Sequence, residues 1–156
     1  MSYNVLDIID RSIDICNKIL NNYRKINDKQ VTNNSLKIVT KVFISRETER
    51  IKFYEDLKNR IEKENISDID FFIYDKISSL MAEFNSNLIA KEHKNVKDFM
   101  TCVISMNKDC RALFIDIRGR MIQKKEDGES FEYKILTDII RMEEKYILEL
   151  EMLSSE

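Results

Sequence analysis

Residues 35–62 read SLKIVTKVFISRETERIKFYEDLKNRIE. Leu36, Thr40, Phe43, Glu47, Arg50, Tyr54, Leu57 and Ile61 recur at steps of three and four, the period of one helix face. The stretch holds no glycine and no proline. At 1.5 Å per residue it makes a rod of about 40 Å, a length typical of a helical bundle. Two members of the face are charged. Glu47 stands four residues from both Phe43 and Ile51, and Arg50 follows it by three. The segment therefore predicts a fold and marks where an unusual interior lies.

The rest of the chain repeats this pattern. Polar breaks at 26–35 (INDKQVTNNS), 63–68 (KENISD), 93–98 (HKNVKD) and 126–130 (EDGES) divide it. Asn, Asp, Ser and Gly favour caps and turns over helix interiors. Ser67 with Asp70 approximates a capping box, and Gly128 is the expected left-handed helix stop. Five helices are predicted, over 4–25, 35–62, 68–93, 98–125 and 130–153. In the first, Leu6, Ile9, Ile13, Cys16, Leu20 and Tyr23 form the stripe. In the fourth it is Val96, Met100, Val103, Asn107, Cys110, Phe114, Ile117 and Met121. In the fifth it is Tyr133, Leu136, Ile140, Glu143, Ile147 and Leu150.

Composition agrees with an all-α domain. The 156 residues include two glycines and no proline, too little punctuation for a loop-rich β fold. Hydrophobics at 43% suffice for a core, so disorder is excluded. The 26 basic and 28 acidic residues give a net charge near −2, which argues against binding a nucleic-acid backbone. Three cysteines without a CxxC form neither a disulfide framework nor a Cys-rich zinc site. No apolar run approaches a membrane span, and MSYNVLDIIDRSIDICNK carries acids where a signal peptide is basic. A cytoplasmic location without membrane partners is the expectation. There is no GxGxxG, P-loop, HExxH or GxSxG.

The second and fourth stripes superpose when 60 is added to each number, and so do the third and fifth. Ile44 meets Ile104, Tyr54 meets Phe114, Arg60 meets Arg120 and Glu83 meets Glu143. This predicts one domain over 1–156 built from a duplicated helical hairpin, 35–93 and 98–153, with an extra helix at 1–26 in front.

Glu47, Asn107 and Glu143 interrupt apolar stripes, and Glu83 lies beside Leu80 and Phe84. The break near 65 is 18 residues from both Glu47 and Glu83, and the break near 125 is 18 from both Asn107 and Glu143. Antiparallel hairpins would put each pair at one level. A buried carboxylate is costly unless paired or metal-bound, and carboxylates at one level on facing helices are how bundles build di-iron and di-manganese sites.

RETERIKFYEDL (46–57) resembles the first helix of a rubrerythrin-type hairpin in the ferritin-like superfamily, where a ligand Glu precedes an aromatic pair: here Glu47, Phe53 and Tyr54. MEEKYILELEML (142–153) resembles the second helix, with Glu143 as the Glu of E-x-x-H and Tyr146 where the His would stand. AEFNSNL (82–88) supplies Glu83 with Ser86 in the His place, and SMNKDCRALF (105–114) has Asn107 for the remaining Glu. The resemblance implies a ferritin-like four-helix bundle. Its metal residues would be Glu47, Glu83, Glu143, Asn107 and Tyr146. Both imidazoles and one carboxylate of the full set are absent. The implied protein is a degenerate, non-catalytic structural or interaction protein without a cofactor. The alternative is an iron- or manganese-binding oxidoreductase or iron-handling protein with an altered carboxylate site.

Arg50 lies three residues after Glu47, and Arg111 follows Asn107 by four, so a guanidinium is a candidate to replace the metal's charge. Exposed acids are the third option. His93, in KEHKN, is expected as a solvated cap residue, Cys16 and Cys110 as small core residues, and Cys102 as unactivated. The first helix is apolar nearly all round, which predicts packing along the bundle and a two-fold homodimer. A ferritin-type order needs a long crossover between its second and third helices, yet Glu83 and Asn107 are only 24 residues apart. Up-down-up-down order and a swapped dimer are the other solutions.

Overall fold

The computed structural model describes residues 2–29 and 32–155. Among these residues five α-helices form: α1 (Val5–Asp28), α2 (Asn34–Glu62), α3 (Phe71–Ser86), α4 (Val96–Arg120) and α5 (Phe131–Ser154). A 3-10 turn at Lys125–Glu129 precedes α5. Among the described residues no strand forms, only an isolated bridge between Tyr3 and Ile69.

Each helix begins where a short polar side chain accepts from otherwise unpaired amides. Asn4 and Asp7 form a reciprocal capping box at α1, and Asn33, Asp70, Asn95 and Ser130 cap α2 to α5. Two turn expectations are corrected. Asp70 itself caps α3, while the amide of Ser67 is held by Glu132 at 2.8 Å. Gly128 is not left-handed, because α4 has already ended and Asp127 organises the turn through the amides of Gln123 and Lys124.

Side-chain contacts fix the helix directions. α1 and α2 run antiparallel: Tyr23 meets Phe43, Asn27 reaches Thr40 at 2.7 Å, and Asp10 pairs with Lys58. α4 and α5 are antiparallel through Arg118 with Thr137 and Lys108 with Glu151. α2 and α5 are antiparallel through Arg46 with Glu149 and Arg60 with Asp138. α2 and α4 run parallel, with Phe43 against Phe99 and Tyr54 against Phe114. α3 runs parallel to α1, as Arg11 meets the Ser78 carbonyl and Lys18 the Asn85 carbonyl. The four long helices α1, α2, α4 and α5 thus form an up-down-down-up bundle. α3 is the return leg that carries the chain back along its outside.

This corrects the predicted division into hairpins 35–93 and 98–153 with 1–26 outside. The partner of α2 is α1, and the helix outside is α3. The reason is surface. α1 buries Val5, Ile8, Ile9, Ile15, Cys16, Ile19, Leu20, Tyr23 and Ile26. α3 spans 16 residues, fully buries only Tyr74, Ile77 and Met81, and leaves Phe71 and Phe72 exposed. A stripe that short does not cover the 29 residues of α2. The long crossover of a ferritin-type order lies between α2 and α4, and α3 is part of it.

The outer face of α1 is polar: Asp10, Asp14, Asn17, Asn21, Arg24, Lys25 and Asp28. Its apolar surplus, the ground for expecting a dimer, is absorbed within the chain's own core. Among the described residues no helix is long and apolar enough to cross a membrane.

Candidate functional site

Three of the four bundle helices bring a pair of residues spaced i, i+3 to one level, on the face that points inward. These are Glu47 and Arg50 on α2, Asn107 and Cys110 on α4, and Glu143 and Tyr146 on α5. Cys16 of α1 completes the ring. Glu47, Asn107 and Glu143 are fully buried, and Arg50 is 5% exposed.

Arg50 sits at the centre. Its Nη2 donates to Oε1 of Glu143 and to the sulfur of Cys110, and its Nη1 donates to Oδ1 of Asn107 at 2.8 Å. Nη1 also lies 3.6 Å from Oε2 of Glu47, an ion pair rather than a hydrogen bond. The Tyr54 hydroxyl donates to the same oxygen of Glu143 at 3.4 Å. Asn107 is turned by its own amide, which donates to the Val103 carbonyl at 2.8 Å and leaves its oxygen for Arg50. The guanidinium carbon stands 5.6 Å from the Tyr146 ring centre, a cation–π distance.

The charges do not cancel. Two carboxylates face one guanidinium. Burial raises the pKa of Glu143, opposed by Arg50 and the Tyr54 hydroxyl, and burial raises that of Glu47, opposed chiefly by Arg50. Burial works against the charge of Arg50, but Glu143 and then Glu47 outweigh it and hold the guanidinium charged. Glu143 has the direct bonds, from Arg50 and the Tyr54 hydroxyl, and these oppose the upward push of burial. Glu47 is held more loosely: its contact with Arg50 is the longer ion pair, and the Cys16 thiol is its other neighbour, so burial raises its pKa with less to oppose it than at Glu143. The second oxygen of Glu143, Nε of Arg50 and the hydroxyls of Tyr146 and Tyr23 are without partners.

The cluster holds no activated nucleophile. Burial drives the thiols of Cys16 and Cys110 above their ordinary range, and it does the same to the Tyr54 hydroxyl. A cavity of about 690 Å³ opens between α1, α3 and α4, but its walls include none of Glu47, Arg50, Asn107 or Glu143.

Of the residues singled out in the sequence, Glu47, Asn107, Glu143 and Arg50 come together, and Tyr146 flanks them half-buried. Glu83 does not join them. It is exposed on α3, outside the bundle, on the wall of the cavity. Ser86 is exposed beside it and Lys76 is exposed further along the same helix. Arg111 is half-buried and makes no ion pair among the described residues. Cys16 and Cys110, expected as small core residues, are members of the cluster, and so is Tyr54, the second aromatic of the pair after Glu47. The signal for Cys110 was present: N-x-x-C in α4 has the spacing of E-x-x-R in α2 and E-x-x-Y in α5.

A divalent pair of metals does not suit this donor set. Iron and manganese sites of this kind use carboxylates with imidazoles, and the centre has two carboxylates, no imidazole and a permanently charged guanidinium between them. The oxygen of Asn107, the other hard donor, is engaged by that guanidinium. No family model matches the chain, and no curated protein or solved structure is detectably similar to it.

Proposed function

We propose that this chain is a ferritin-like helical-bundle protein of rubrerythrin type in which an arginine has taken the place of the metal pair, leaving a non-catalytic structural or interaction role. The up-down, crossover, down-up order of its long helices supports this. So does the placement of inward polar residues. Ferritin-like carboxylate proteins use a Glu from each of two helices and Glu-x-x-His from each of the other two. Here Glu47-x-x-Arg50 and Glu143-x-x-Tyr146 occupy the second kind of position, while Cys16 and Asn107 occupy the first. Glu47–Arg50 therefore replaces Glu83–Ser86 as the counterpart of Glu143–Tyr146.

The observation that carries the proposal is Arg50, bonded at once to Glu143 and Asn107 in the centre of the bundle. Iron and manganese are measured in untagged protein from cells grown with both metals in excess. Substoichiometric metal is the expected result. Two tightly held ions of either kind per chain would overturn it in favour of the metal-dependent oxidoreductase or iron-handling alternative.

For an interaction role, the exposed apolar residues lie elsewhere than on α1. Ile38 and Val42 on α2, and Leu148, Met152 and Leu153 on the adjacent α5, are each more than 40% exposed. They support a homodimer through the α2–α5 face, with polar substitution at Val42 and Met152 and sedimentation as the test.

A further inference from the structure

Asp98 and Cys102 lie in the first two turns of α4 and His93 in the segment just before it, outside the Arg50 cluster. Each offers one ligand atom, and these atoms lie within 4.8 Å of one another. Asp98 and Cys102 are i, i+4 and so share a helix face. The His93 ring packs edge-on against Phe99 at 5.4 Å, its side chain is 6% exposed, and Nδ1 stands 3.3 Å from Oδ2 of Asp98. The same carboxylate oxygen accepts from the Lys94 amide at 3.3 Å, which fixes its orientation. His93 and Cys102 both form part of the wall of the 690 Å³ cavity.

We infer that His93, Asp98 and Cys102 bind one divalent ion of the zinc class, with its fourth coordination position open to the cavity between α1, α3 and α4. Three considerations lead there. Nitrogen, oxygen and sulfur in one small cluster suit Zn²⁺, whereas Mg²⁺ and Ca²⁺ take oxygen alone. Three protein ligands with an open position are the pattern of zinc sites that admit a further ligand. Side-chain rotations of about an ångström bring the three atoms to zinc distances of roughly 2.0–2.3 Å, because Cys102 and Asp98 sit at a helix surface and His93 on an irregular segment. The ion takes the place of the direct contact between His93 and Asp98, and the Cys102 thiol gives up its proton to solvent on binding. The cavity wall mixes Phe99 and Met106 with Lys91, Thr101 and Ser105, so the added ligand is a small molecule with one metal-binding group and both polar and apolar parts.

The full chain, stripped with chelator, is titrated with Co²⁺ as the spectroscopic probe. The expected result is saturation at one ion per chain with a near-ultraviolet thiolate-to-cobalt band, displaced by Zn²⁺. Cys102→Ser abolishes the band, and His93→Gln and Asp98→Asn each weaken binding by roughly tenfold or more. Glu83→Gln, which alters another acid on the same cavity wall, leaves binding unchanged. Thermal unfolding by circular dichroism verifies that each variant is folded, and if one is not, the other two carry the test. Absence of a saturable thiolate band would overturn the inference. So would a band that survives in Cys102→Ser and His93→Gln, or one that is lost in Glu143→Gln, which would place the ion at the bundle centre.

Discussion

Arg50 on α2 donates through Nη2 to Oε1 of Glu143 on α5, a bond between two buried residues 93 apart in sequence. Two charges taken from water recover their hydration only through good geometry, so such a pair is a poor source of net stability but a costly one to break. It fixes the rotation of α2 against α5 and, through Asn107, of α2 against α4.

Arg50→Met should destabilise the chain by about 3–5 kcal/mol, because it leaves Glu143 and Glu47 buried without a cation. Replacing the three together, Glu47→Leu, Arg50→Met and Glu143→Leu, should recover most of that loss, since a hydrophobic core is at least as stable as a buried ion cluster. Urea unfolding of the two variants beside the parent chain decides this. A single variant as stable as the parent would mean that the cluster carries no uncompensated charge.

Glu47 sets a pH dependence of unusual sign. Burial raises its pKa above that of the unfolded chain, so between the two values the folded chain binds more protons than the unfolded one. Its contribution is fully present below the unfolded value of about 4.3 and is lost as pH rises through the folded value. Glu47→Gln should flatten this slope, leaving the part that the likewise raised Glu143 contributes, and should raise stability at neutral pH. The check is the difference between the stability–pH curves of the two proteins. Parallel curves would refute it.

α1 is a wall of the core, not an appendage. A chain lacking residues 1–28 should fail to unfold cooperatively and should aggregate, since the buried faces of α2 and α4 would be exposed together. Ile8→Ala, at a fully buried site, should cost about 2–5 kcal/mol. Calorimetry and sedimentation of the shortened chain test the first statement, and chemical unfolding tests the second.

The three cysteines should separate by reactivity. Cys16 and Cys110 are 2% and 3% exposed, and burial holds their thiols protonated. Cys102 is partly exposed on the cavity wall. With metal removed by chelator, a colorimetric disulfide reagent should therefore titrate one thiol in the native chain and three in denaturant. Cys102→Ser should eliminate the native reaction. Rapid native labelling of all three would show that the bundle centre opens.

The all-α fold and most of the central cluster were legible in the sequence, because helical period and inward position are local properties. The steps of three and four along 35–62 place Glu47 and Arg50 on the face of Phe43 and Tyr54 whatever that face packs against. The same holds for Asn107 and Glu143 on their helices. Pairing between helices is not local. The offset of 60 aligned α2 with α4, but the same offset suits two hairpins in tandem and two parallel helices packed against each other. Only the structure, where Tyr54 stacks on Phe114, selects the second. Glu83 had the right neighbours in sequence and the wrong helix, because α3 is too short and too sparsely apolar to enter the core. Cys110 reads in the sequence as a small core residue, and only the tertiary structure brings Arg50 of another helix to its sulfur. Periodicity determined which faces turn inward. The matching of buried area and helix length between segments far apart in the chain decided which faces meet, and so which residues share the centre.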